Sequence, residues 1–250
     1  MTFDFSLALN RWDVILVIVV SLQTAILAYA ASPKAKSVMM TLPFPFTIVT
    51  LSLGLDVDAT NVLALVILFV YSHSIRLLHD RVGVPIVMAI PTGLMIYIAL
   101  GYFAAQITPR DETTFWISVV VVFLFGLGVF FGTKSRAERA HRTSLPVFVK
   151  LPIILVVVAL LVVIKGNLGG FASLFPLVSV VGSYEARYSL WMMSRTVPML
   201  MITLLPLLVT THLTQQAFGL GGGLLLGWAV FFVLLVPITM WQWRHWPDPN

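Results

Sequence analysis

Cysteine is absent from the chain, which excludes disulfides, thiolate metal sites and cysteine nucleophiles and leaves the redox compartment open. Charge is almost as scarce. Only 10% of the 250 residues are Asp, Glu, Lys or Arg, too few to solvate a globular domain of this length. Catalytic signatures are missing too: there is no His-Glu-x-x-His, no histidine pair at helical spacing and no carboxylate set for a di-metal centre. Nor is there a Gly-x-Ser-x-Gly or a Ser/His/Asp arrangement. No cofactor and no metal are expected, and an enzyme is the least favoured class. The glycine run Gly219 to Gly227 opens an apolar helix, follows no strand and precedes no Lys-Ser/Thr, so it reads as a helix-packing surface and not a phosphate loop.

What the chain does have is apolar surface. It is 59% hydrophobic with a mean hydropathy of +1.00, as expected of an integral membrane protein. Its apolar runs are unbroken and lack the alternation of barrel strands, so the fold class is all-α, a polytopic helical bundle. The net charge of +5 belongs to loops facing the cytoplasm and not to a nucleic-acid surface.

About nine apolar segments approach the roughly 20 residues that span a bilayer: 14–31, 38–55, 60–79, 83–106, 114–132, 146–164, 168–183, 189–212 and 218–241. The seventh is the shortest and is expected to be re-entrant or broken. The first is read as a retained helix and not a cleaved signal peptide. Lys34 and Lys36, then Arg76 and Arg81, then Lys134, Arg136, Arg139 and Arg142 fall in alternate loops. The positive-inside tendency therefore puts the N-terminus outside and the C-terminus, with Trp241 to Trp246, in the cytoplasm of a cell whose inner (plasma) membrane holds the chain.

Phe44-Pro45 and Phe175-Pro176 occupy corresponding places in two halves. Laying one on the other brings Lys34 onto Lys165 and the apolar run 23–31 onto 154–162. Each half reads as an apolar helix, a lysine, a short linker and a hydrophobic segment interrupted by proline, which removes a donor and breaks the helix. The expected organisation is two inverted four-helix repeats joined by a linking helix: residues 1–112, a linking helix and basic loop over 113–144, and residues 145–250. Paired broken segments are a sequence pointer to a transport site near the midplane.

Residues at the breaks are the first candidates for a solute or ion path: Thr41, Pro43, Phe44, Pro45, Thr47 and Thr50 in the first, and Ser173, Phe175, Pro176, Ser179 and Ser183 in the second. Taken singly, each reads first as a kink or a small packing residue; the two motifs together favour a cavity. Ser72 and His73, late in the third segment, could carry a proton or cap the interface. Glu185 is the glutamate nearest a break. Arg195 suits a bidentate anion contact or an internal pair with Glu185, and the internal pair is the reading taken. Lys34 and Lys165 read as membrane anchors, and His212 as interfacial.

Residues 150–237 resemble small bacterial inner-membrane proteins of the GlpM type. The likeness lies in the helix from Lys150, Lys165-Gly-Asn-Leu-Gly-Gly-Phe-Ala, Leu174-Phe175-Pro176, the turn Tyr184-Glu-Ala-Arg, and the helix from Trp191 to Pro206. It implies a four-helix unit, here two fused, and a transport role. The first half departs from it, with Pro43 added and Ala64 standing where Arg195 stands in the second. The function expected is alternating-access transport of a small solute or a lipid-linked group, in a lipid bilayer and with a possible homo-oligomeric or membrane-complex partner. The alternative is a non-catalytic membrane subunit that anchors or gates a larger complex.

Overall fold

A computed structural model describes residues 10–29, 38–133 and 147–245. Lys34, Lys36, the basic linker from Lys134 to Arg142 and the tail from Trp246 lie outside them. Within the described residues every regular element is helical and no strand occurs. Among the described residues five helices are long and apolar enough to cross a membrane.

Helix α1 (Arg11–Tyr29) turns one stripe inward, with Leu16, Val20, Gln23, Thr24 and Leu27 buried, while Val14, Ile18 and Leu22 face outward. Apolar side chains on the outer surface are the mark of a lipid solvent. A short turn, Val38 to Thr41, ends at Leu42-Pro43, and α2 (Phe44–Leu53) begins directly after it. Gly54 closes α2 at φ 63°, where a side chain would be strained, and donates its N–H to Thr50 O.

Helix α3 (Ala59–Arg76) is the centre, packed against the helices that begin at Ile86, Glu112 and Leu190 and against the turn Gly169–Leu174. Asp58 and Asn61 form a reciprocal capping box at its start. It widens into a π turn (Leu77–Arg81) before α4 (Ile86–Ile107) runs back along it. Helix α5 (Glu112–Gly132) starts at Asp111, whose carboxyl the Thr114 backbone N–H and hydroxyl hold below the usual carboxylate range. Only the stripe Phe115, Ser118, Val122, Gly126 and Phe130 is buried, so α5 is the most lipid-exposed long helix.

Gly126 sets how close α5 comes to the rest. A Cβ there would stand 2.8 Å from Met201 Cβ. Replacing Gly126 by Leu is expected to push α5 away and cost about 1–3 kcal/mol, read as a lowered melting temperature in detergent. A variant that melts with the wild type would show that α5 floats free of Met201.

Helix α6 (Val147–Leu168) runs into a 3-10 turn (Gly169–Leu174) and, after Phe175-Pro176, into α7 (Leu177–Glu185). The seventh apolar segment is thus a broken helix, as its length suggested. Helix α8 (Leu190–His245) folds back on itself at Gly219, which has φ 70° and ψ 168°, a conformation essentially confined to glycine. Its two arms then touch: Thr211 Oγ1 donates to Gly223 O at 3.3 Å, and a Cβ on Gly227 would meet Leu207 O at 2.8 Å. The glycine run is therefore a hinge followed by a packing surface.

Candidate functional site

The two proline breaks meet. A cavity of about 60 Å³ lies between them, lined from the first side by Met40, Thr41, Leu42, Pro43, Pro45 and Phe46 and from the second by Ser173 to Ser179. Gln23, Leu68 and Leu200, from α1, α3 and α8, complete the wall. Among the described residues no ionised side chain lines it.

Proline at each break withdraws a backbone donor and stops the helix, so carbonyls on the preceding turn lose their usual partners. Two carboxamides take them up. Gln23 donates from Nε2 to Met39 O at 2.7 Å and to Leu42 O at 3.2 Å. Asn61 donates from Nδ2 to Gly170 O at 3.3 Å and to Ser173 Oγ at 3.0 Å. Thr41 Oγ1 bonds Val38 O, Ser173 Oγ bonds Gly170 O, and the buried Tyr97 hydroxyl bonds Phe171 O. Helices α2 and α7 start at the cavity with Pro43 and Pro176 as N-caps, neither of which supplies a side-chain cap. The first N–H of α7, on Leu177, turns back onto Phe175 O at 2.7 Å, and Pro45 has none to offer in the first turn of α2.

Of the residues singled out from the sequence, Thr41, Pro43, Pro45, Ser173, Phe175, Pro176 and Ser179 are brought together around this cavity. Phe44 turns away onto Trp228, whose Nε1 donates to Thr47 Oγ1 at 2.8 Å. Thr50 and Ser183 are buried and bond back to Phe46 O and Ser179 O within their own helices. Ser72 and His73 both bond Phe69 O, and the imidazole stacks on the Phe69 ring, away from the breaks.

Glu185 corrects the sequence reading. Its carboxylate meets Lys150 Nζ at 2.7 Å, both side chains being buried, because the start of α6 packs beside the end of α7. Arg195 instead donates from Nη2 to Phe130 O at 3.3 Å. Lys165 is likewise no simple anchor. Its Nζ lies 2.7 and 2.8 Å from the two Asp13 oxygens and 2.7 Å from Ser52 Oγ, with Asn10 closing the network onto Ser52. His212 bonds Val57 O at 2.7 Å and Glu112 Oε1 at 3.0 Å. Helix α6 therefore carries a buried or half-buried ion pair at each end.

Sequence reasoning missed Gln23, Asn61, Asp13 and Lys150 as structural actors. The signal for Gln23 was present: a lone carboxamide in an otherwise apolar helix needs partners at depth. Among the described residues no group of three or more His, Asp or Glu could hold a metal.

Fold and site together define an apolar helical protein of membrane type in which two broken helices flank a small cavity lined by uncharged residues. No family description, curated protein or solved structure matches this chain.

Proposed function

We propose that the chain is a transporter that exposes the cavity between its two broken helices alternately to either side of the membrane. The observation that carries this reading is the convergence of both Phe-Pro breaks on one cavity, with Gln23, Thr41, Ser173 and Ser179 in its wall. Helix breaks leave backbone groups that need protein, water or solute as partners, and in membranes they persist where they line a path.

The proposal includes nine crossings arranged as two inverted four-segment repeats about α5. In its support, the spacing from Phe44 to Phe175 equals that from Ala59 to Leu190, the first residues of α3 and α8. The contacts also sort by expected side. Asp13, Ser52 and Lys165 meet one another, as do Val57, Glu112 and His212, all assigned outside by loop charge. Arg76 lies over Trp191, and Lys150 meets Glu185, all assigned to the cytoplasmic side. An inner (plasma) membrane, an external N-terminus and kinship with the GlpM type are part of the same proposal. Of the two substrate kinds expected, the cavity's size favours the small solute, since about 60 Å³ admits only a few water-sized bodies.

The test uses the cysteine-free background. Single cysteines at Thr41 and Ser179 are labelled with a membrane-impermeant thiol reagent from each side of sealed vesicles. Transport predicts labelling of both, from opposite sides or with a side that switches under an imposed gradient. Labelling of loop controls alone would sink the reading.

A second reading, a membrane subunit, is favoured by an apolar groove of about 380 Å³ between α5 and α8, lined by Leu127, Phe130, Phe131, Ile202, Pro237, Ile238 and Trp241. A partner helix or lipid chain would fit there, and the dry-centre outcome of the labelling experiment would move the weight to it.

A further inference from the structure

Lys165 ties the two proposed halves together at one face of the protein. It stands near the end of α6, and its ammonium reaches the two Asp13 oxygens in α1 at 2.7 and 2.8 Å and Ser52 Oγ in α2 at 2.7 Å. Ser52 Oγ also lies 2.7 Å from Asp13 Oδ1, and Asn10 Nδ2 donates to Ser52 O at 2.9 Å. The Asp13 side chain is 1% exposed and that of Lys165 13%. At this burial water is a poor substitute for either partner.

The other buried pair is placed differently. Lys150 and Glu185 belong to α6 and α7, inside one half, so a movement of one half against the other leaves their bond whole. The same movement parts Lys165 from Asp13 and Ser52. The helices also fix where this network stands relative to the cavity. Helix α2 has Pro45 and Phe46 in the cavity wall and Ser52 at its far end, while α1 has Gln23 in the wall and Asp13 an equal or greater distance along. At about 1.5 Å per residue the network lies roughly 10–15 Å from the cavity along both helices, on the face assigned outside by loop charge. Ser52 and Lys165 are each followed closely by a glycine in the left-handed region, Gly54 at φ 63° and Gly169 at φ 53°. Such positions absorb backbone rotation when helices swing.

Resting on the transport reading above, we infer that Asp13, Ser52 and Lys165 form the outer gate: joined, they hold the halves shut over the cavity on that face, and parting Lys165 from the other two opens it outward. A contact made in one state and lost in the other biases the balance between them by its own free energy. Weakening the network therefore favours the outward-open state at the expense of the inward-open one.

The experiment places a single cysteine at Ser179, in the cavity wall, in the full cysteine-free chain. The chain is reconstituted in sealed phosphatidylcholine vesicles, and the rate of labelling by a membrane-impermeant maleimide is measured from each face. Control chains with the cysteine at the exposed Thr113 or Val82 report which face points out of the vesicle. Lys165→Met is expected to raise the outer-face rate about tenfold and to lower the cytoplasmic-face rate. That change strands Asp13 and endangers folding, so Ser52→Ala, which removes one contact and keeps both charges, is measured beside it. It is expected to move both rates in the same directions by about threefold, and it decides alone if Lys165→Met does not reconstitute. Unchanged outer-face rates, in a parent chain whose Ser179 cysteine does label, overturn the gate and leave transport standing. An outer-face rise without a cytoplasmic-face fall overturns it as well, because the network then only holds the fold tight. If the Ser179 cysteine labels from neither face in parent or variants while the controls label, the transport reading fails and the gate falls with it.

Discussion

Replacing Glu185 by Leu is expected to lower the melting temperature of the purified chain by roughly 10 °C, and replacing Lys150 by Met to do about the same. The two groups stand 2.7 Å apart with side-chain exposures of 0% and 7%. At that burial water cannot replace a lost partner. Removing one partner of a buried pair costs about 3–5 kcal/mol, because the survivor is left charged in a poor solvent. Removing both is a different matter. The double variant Lys150→Met/Glu185→Leu fills similar volume with apolar atoms and is expected to melt near the wild type, since a buried pair repays little beyond its own desolvation. Three detergent melts decide this. Single variants that melt with the wild type would mean the pair is wet in the membrane.

The second large effect is expected at Gly170. A Cβ there would lie 2.0 Å from Thr60 Oγ1 and 3.0 Å from Asn61 Oδ1. Neither neighbour is free to swing aside. Thr60 Oγ1 is hydrogen-bonded to Asp58 Oδ1, and Asn61 Oδ1 accepts the Asp58 N–H. The methyl of alanine would therefore lift the second break off α3 or dismantle the α3 cap. Gly170→Ala is expected to destabilise by about 3 kcal/mol, the upper end of overpacking costs. Thr60→Ala, which removes the nearest atom, should recover part of that loss in the double variant although it weakens the cap on its own. The sign of that coupling, read by a double-mutant cycle, tests the contact directly. Additive losses would place the damage elsewhere.

Much of the fold was legible because bilayer physics leaves few options. Apolar runs of spanning length become helices, and proline in mid-run becomes a break, so segments 83–106 and 114–132 reappear as α4 and α5 within a few residues. The site was legible only in part. The residues at the breaks announced themselves by type, because proline and hydroxyls are conspicuous in apolar sequence. Their partners did not. Nothing in the spacing of Asp13 and Lys165, or of Asn61 and Gly170, points to contact, because side-by-side placement of helices is decided by packing between distant segments. Arg195 misled for a similar reason. It sits near Glu185 along the chain, but the end of α7 is covered by α6, which brings Lys150. Gly219 was assigned to packing, and only the backbone angle reveals the hinge.

The two carboxamide stitches differ in where their strands of chain come from. Gln23 joins positions fewer than twenty residues away, at Met39 and Leu42, so the first break holds together with what has already emerged when residue 42 leaves the ribosome. The second break borrows Asn61 and Tyr97 from more than seventy residues upstream. The first break is thus secured by its own neighbourhood in the chain, whereas residues 169–176 are gripped by α3 and α4, so a second half expressed without them would carry a broken helix whose carbonyls at Gly170 and Phe171 lack these partners.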